Sequence, residues 1–230
     1  MGKTMRTYHF QKNKKNLSVG KIICLARTYK KHAEEMKTTP PPNPLLFLKP
    51  ATAVIFSGES IRYPKISQCV HHEVEMGMVI NESASNISEK NALDIVAGYV
   101  VGLDITARDI QSTAKNNGWP WSIAKGFDTF APISDVVSAD DVDDPNDMGF
   151  RLWVNSKLRQ QGKTKNLIWN VETLISYISS IMTLEPGDLI LTGTPQGVSE
   201  ITVGDQITAE LTGLTQLSVD IQSSNLKKEN

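Results

Sequence analysis

Short apolar runs rich in Val and Ile, each closed off by Gly, Pro, Asn or an acid, follow one another along this chain, and helix-length periodic segments seldom come between them. A doubly wound sheet needs a helix after nearly every strand, so this pattern argues against one and calls for a β-rich mixed architecture. Strands are predicted at residues 20–25, 45–48, 54–56, 70–80, 95–105, 188–192, 206–211 and 217–221, with a short edge strand near 7–10. A hairpin is predicted around Asn155-Ser156, between strands at 152–154 and 157–160. Helices are few. One is short and polar (28–36), one runs to about Asn116 with Thr106 as its cap, and one is amphipathic through Leu174, Ile175, Ile178, Ile181 and Met182.

With 230 residues, 40% of them hydrophobic and 21% charged, the chain can bury a core without disulfides or a structural metal. Cys24 and Cys69 match no metal-finger spacing and suggest no disulfide scaffold, so a reducing, cytoplasmic setting is expected. The net charge of −1 lacks the basic excess expected of a chain whose main partner is nucleic acid or an anionic membrane. No apolar run approaches a membrane span, and the basic first 18 residues lack the apolar segment of a secretory signal. The expected organisation is an extension (1–18), a single catalytic domain (19–222) and a frayed polar tail (223–230), with a Pro-rich loop at 38–44.

Glu73 and Glu75 open a predicted buried strand, and residues two apart on a strand share a face. Two such carboxylates repel, and burying both calls for a cation. Asp104 ends the apolar run 99–103. Three acids with no convincing Cys or His set make a hard oxygen site, better suited to Mg²⁺ or Mn²⁺ than to Zn²⁺. The pattern alone leaves open an edge strand whose acids face solvent. His71 and His72 read as hydrogen-bonded neighbours rather than ligands. His32 and Glu35, three apart on a helix, share a face, and the carboxylate would raise the basicity of the imidazole. Spacing by itself favours a solvated surface pair there. Lys125, among Trp119, Trp121, Phe127 and Phe130, needs an anion: a substrate carboxylate, the metal carboxylates or Asp128. Arg108 and Asp109 are expected to form a structural ion pair. The segment Thr192-Gly193-Thr194-Pro195-Gln196-Gly197 is either a tight turn or a place where backbone N–H groups approach a ligand oxygen.

Four blocks, in order and at matching spacing, resemble the fumarylacetoacetate hydrolase family: His71-His72-Glu73-Val74-Glu75, Leu103-Asp104-Ile105-Thr106-Ala107-Arg108-Asp109-Ile110-Gln111, Lys125-Gly126-Phe127-Asp128-Thr129-Phe130, and Leu191-Thr192-Gly193-Thr194-Pro195-Gln196-Gly197-Val198. Residues 24–36 and Phe47-Leu48-Lys49-Pro50 resemble further blocks. The likeness is greatest to the short acylpyruvase and oxaloacetate decarboxylase branch. It implies a β-rich α+β fold, a mixed β-sandwich roll with a few short helices, and a homodimer. It implies Mg²⁺ or Mn²⁺ on Glu73, Glu75 and Asp104. Arg27, Gln111, Lys125 and Thr194 fall at substrate-binding positions, His32 and Glu35 at a catalytic dyad on a mobile lid, and Lys125 counts among the catalytic residues as well. The implied reaction is cleavage of acylpyruvates to pyruvate and a carboxylic acid, or decarboxylation of oxaloacetate, through an enolate that the metal stabilises. A keto–enol tautomerase, a double-bond isomerase or a noncatalytic ligand-binding member are the alternatives. Ala26 and Thr28 depart from the usual Gly-Arg-Asn-Tyr pattern, which bears on the lid and not on the metal residues.

Overall fold

The computed structural model describes residues 6–12, 15–35, 39 and 41–224, with His32 and Ala33 described in backbone only. The first half of the chain forms β1 (Ile22–Ala26), α1 (Lys30–Glu35), β2 (Leu45–Lys49), β3 (Val54–Phe56), β4 (Ser60–Tyr63), β5 (Val70–His72), β6 (Val74–Ile80) and β7 (Val96–Leu103). Then come β8 (Thr106–Ala107), α2 (Arg108–Asn116), α3 (Ser122–Lys125), β9 (Ala131–Ile133) and β10 (Val137–Ser138). The remainder forms β11 (Gly149–Val154), β12 (Lys157–Lys163), α4 (Val171–Ile181), β13 (Leu189–Leu191), β14 (Ser199–Ile201), β15 (Gln206–Leu211) and β16 (Thr215–Ser223). The β-rich α+β architecture is the one expected.

The largest sheet runs β2-β1-β13-β6-β7-β9-β3, with β10 pairing to β7. A five-stranded sheet runs β12-β11-β15-β16-β4, and a small one β14-β5-β8. Most pairings are antiparallel; β1 with β13, β3 with β9 and β4 with β16 are parallel. The large sheet is apolar on both faces. Ile23, Leu25, Met76, Met78, Val101 and Leu103 enter the main core, while Ile22, Cys24, Val79, Val100, Leu189 and Leu191 pack on the other face with Tyr8 and Val19. Double burial is why these strands read as continuous apolar runs rather than as an alternation. Strands β11, β15 and β16 close the main core over β6 and β7.

α4 buries Val171, Leu174, Ile175 and Ile178, and Asn170 caps it by accepting from Thr173 N at 2.8 Å. The hairpin turns at Asn155-Ser156, both at positive φ (49° and 64°), the backbone a two-residue turn requires. No helix among the described residues is long and apolar enough to cross a membrane.

Two elements differ from expectation. The predicted 70–80 strand breaks at Glu73, where the chain leaves the small sheet for the large one. Thr106 belongs to β8 and does not cap the helix, which starts at Arg108 with no side-chain cap. Its hydroxyl is already engaged, donating to Asp104 O and accepting from Lys125. The tail from 225 on, Met36 and, within the Pro-rich loop, Thr38 and Pro40 lie outside the described residues.

Candidate active site

The step between sheets brings the acids together. The Asp104 N–H donates to Glu73 O at 2.8 Å, which sets the end of β7 beside the start of β6. Glu75, on β6, lies opposite Gly102 of β7. One carboxylate oxygen from each of Glu73, Glu75 and Asp104 lies within 4.8 Å of the other two, and all three residues are buried.

Three basic side chains reach this group, where the sequence suggested that a metal would have to supply the positive charge. Lys125 donates to Glu73 Oε2 (2.9 Å), to Asp104 Oδ2 and to Thr106 Oγ1 (2.5 Å), so its partners are the candidate metal carboxylates rather than Asp128. Lys49, fully buried, sits 2.7 Å from Asp104 Oδ1 but donates to the carbonyls of Ile105, Lys125 and Phe130. With its three hydrogens directed there, Asp104 Oδ1 accepts no hydrogen bond. Arg108 donates to Glu73 Oε1 and, at 2.6 Å, to Gln111 Oε1, leaving Nε without a partner. The expected Arg108–Asp109 pair gives way to this, and Asp109 accepts from Ser67 Oγ and Gln68 N instead.

The acids are not equivalent. Burial opposes the charge on Glu73, but Lys125 and Arg108 outweigh it and hold the carboxyl well below its ordinary range. Burial, then repulsion from Asp104 and Glu73, pushes Glu75 well above that range. Glu75 accepts the Gly193 N–H at 2.7 Å and, among the described residues, pairs with no cationic side chain. Burial also raises Asp104, against Lys125 and Lys49. An all-oxygen donor set, a buried Oδ1 without a hydrogen bond and an uncompensated Glu75 fit a hard divalent cation.

A cavity of about 210 Å³ opens above the acids. Arg27, Gln111, Lys125 and Thr194 line it as the resemblance implied, along with Phe47 and Trp121. Arg27 follows β1 at φ 60°. The Thr194 hydroxyl is held between Val74 O and Gln160 Nε2, both at 2.8 Å. Gln160 in turn accepts from His72 Nδ1 (2.8 Å) and Val74 N (3.0 Å), and His72 Nε2 meets Ser199 Oγ at 2.7 Å. His71 lies 3.3 Å from Cys69 Sγ, and burial lowers its pKa to about 4. Both histidines are thus hydrogen-bonded neighbours.

Of the expected dyad, only the side chain of Glu35 belongs to the described residues. The Glu35 carboxylate accepts from Gly197 N at 3.1 and 3.2 Å, while the His32 side chain lies outside the described residues. Thr28 ties the stem of α1 to the same loop, donating to Thr192 O at 2.7 Å. Gly193 stands at φ 93°, and a Cβ there would lie 2.0 Å from Thr28 Oγ1. Lys49, Lys115 and Gln160 were not foreseen as site residues. A lysine in an otherwise apolar strand marked the first, and the seven-residue step from Arg108 along one helix face marked the second. Gln160 carried no signal.

Residues 21–222 match the family described as fumarylacetoacetate (FAA) hydrolase C-terminal. The mitochondrial oxaloacetate tautomerase FAHD1 of Arabidopsis thaliana is 46% identical over 202 residues, 88% of this chain and 91% of that protein. The crystal structure of fumarylpyruvate hydrolase from Pseudomonas aeruginosa, in complex with Mn²⁺ and pyruvate, has a TM-score of 0.92 and 34% identity, covering 97% of this chain and 98% of that one. A 5-carboxymethyl-2-hydroxymuconate delta-isomerase from Mycobacterium smegmatis has a TM-score of 0.81 and 36% identity, covering 92% of this chain and 82% of that one. Since the match takes in the acids, the lysines around them and both sheets that frame the cavity, this chain belongs to the fumarylacetoacetate hydrolase family.

Proposed function

We propose that the chain is a Mg²⁺- or Mn²⁺-dependent enzyme of small β-keto acids with a pyruvoyl end, and that it interconverts the keto and enol forms of oxaloacetate. The observation that carries this reading is the cluster of Glu73, Glu75 and Asp104 at the floor of a cavity rimmed by basic side chains. The oxaloacetate tautomerase relative and the Mn²⁺–pyruvate complex of the hydrolase support it. A divalent cation held by the three acids would polarise the 2-keto oxygen and offset the charge that builds on it.

The chain's own residues do the rest. Lys125 and Arg108 keep Glu73 ionised, and Lys49 and Lys125 hold Asp104 in place. Every hydrogen of Lys125 is used within the protein, so we assign the substrate carboxylate to Gln111 and the Thr194 turn, which line the cavity, rather than to Lys125. Phe47 and Trp121 exclude water from one side of the cavity. His32, with Glu35 three residues on, is the proposed base that moves a proton on and off C3 of the substrate.

C–C cleavage of acylpyruvates is the second reading, favoured by the fumarylpyruvate hydrolase structure. It asks more of the protein, because His32 would then deprotonate a water that attacks the distal carbonyl. Decarboxylation of oxaloacetate needs no such water. Three assays separate the reactions: decay of the enol absorbance of oxaloacetate, pyruvate release from oxaloacetate, and pyruvate release from acetylpyruvate, each with Mn²⁺ and with chelator. Metal-dependent enol decay faster than pyruvate release is the expected result. Pyruvate release as fast as enol decay would replace tautomerisation by cleavage, and no metal-dependent activity on either acid would overturn the whole reading.

A further inference from the structure

The cavity has a second charged end. On α2, Arg108, Gln111 and Lys115 recur at helical spacing, and all three line the cavity. Arg108 reaches Glu73 at the floor, while Lys115 stands seven residues on, about 10 Å farther along the helix axis. An aromatic wall joins the two ends. Lys125 Nζ lies 4.9 Å from the Phe47 ring centroid, Phe47 packs against Trp121 at 5.7 Å, and Lys115 Nζ lies 5.2 Å from the Trp121 centroid. One lysine therefore marks the acid floor and the other the mouth.

The two lysines differ in what they touch. Lys125 is surrounded by carboxylates, whereas Lys115 has no carboxylate within ion-pair distance among the described residues. Partial burial and the nearby Arg108 and Arg27 lower the proton affinity of Lys115, as crowded like charges do. The lining holds four basic side chains (Arg27, Arg108, Lys115 and Lys125) against three acids, before the charge of any divalent cation is added. A substrate with one carboxylate at the floor leaves the positive mouth unmatched; a second carboxylate matches it.

We propose that Lys115, with Arg27, receives a carboxylate at the end of the substrate remote from the pyruvoyl group, so that the enzyme selects keto dicarboxylates over keto acids with an uncharged far end. This rests on the reading of the cavity as a β-keto acid site. Neither residue touches the acid floor, so both act as specificity determinants.

The test compares oxaloacetate with acetylpyruvate, which ends in a methyl ketone, on the Mn²⁺-loaded wild type, Lys115→Met and Lys115→Arg. Lys115→Met should lower the ratio of kcat/KM for oxaloacetate to that for acetylpyruvate about tenfold or more, the scale of a lost charged hydrogen bond, and the loss should appear in KM. Lys115→Arg should recover most of the ratio. Calorimetry should find the same Mn²⁺ affinity in all three proteins. Equal losses on both substrates, or a loss of Mn²⁺ affinity in Lys115→Met, would overturn the assignment while wild-type turnover left the proposed function standing. A wild type that turns over neither acid would overturn both.

Discussion

Glu75 is the residue on which the metal reading bears most directly. It is buried, uncompensated and raised in pKa, so the metal-free protein favours its neutral form. A carboxyl whose folded pKa lies above its unfolded value stabilises the fold at low pH and loses that contribution as pH rises through the folded pKa. The melting temperature of the metal-free protein should therefore fall as pH is raised through that range, and Mn²⁺ should restore it. Glu75→Gln should flatten the dependence and weaken Mn²⁺ binding by at least on the order of 10²-fold, read by calorimetry. Glu73, lowered by Lys125 and Arg108, acts in the opposite sense, its contribution being lost as pH falls through its folded pKa. Lys49→Met removes the donor to three carbonyls and the neighbour of Asp104. Breaking a buried charge pair in this way should cost about 3–5 kcal/mol in urea unfolding. On the second reading, cleavage of acylpyruvates, His32→Ala should slow that hydrolysis about 10²–10⁴-fold, the range for losing a general base. Oxaloacetate decarboxylation should fall much less, and equal losses on the two would refute His32 as a selective water activator.

Among the elements, the break between β5 and β6 matters most to the site. On an unbroken strand Glu73 and Glu75 would share a face by alternation alone; here a change of sheet turns Glu73 toward Asp104, Lys125 and Arg108. The turn after β13 gives the next test. Gly193→Ala would place a Cβ against Thr28 Oγ1 at a backbone angle that L residues rarely adopt. It should displace the N–H that Glu75 accepts, lowering both the melting temperature and Mn²⁺ affinity. An unchanged Mn²⁺ affinity would show that the turn does not hold Glu75. The cap of α4 is a control remote from the cavity: Asn170→Ala should cost about 1 kcal/mol in urea unfolding and leave turnover intact.

For the molecule as a whole, the resemblance proposes a homodimer. Exposed Leu45, Leu48 and Trp119, gathered around the edge strand β2, are consistent with a covered edge. Light scattering at micromolar concentration should give twice the mass of one chain, and a monomer alone would refute the dimer. The fold class was legible from the primary structure because double burial of a sheet leaves its mark in local composition: unbroken runs such as Val-Ala-Gly-Tyr-Val-Val-Gly-Leu in β7. The three acids were legible for a related reason, since a charge at the end of such a run requires a partner. Tertiary structure decided which partners they have. Lys49 and Lys125 lie 55 and 21 residues from Asp104 in sequence, and Gln160 lies 88 from His72, so no local period announces those contacts. The two short strands that bend the chain from one sheet to another were equally hidden, because their residues are as apolar or as polar as the neighbours they break from. Local physics determined which segments would be strands and which charges could not stay alone; the meeting of distant strands determined what neutralises those charges and where the cavity opens.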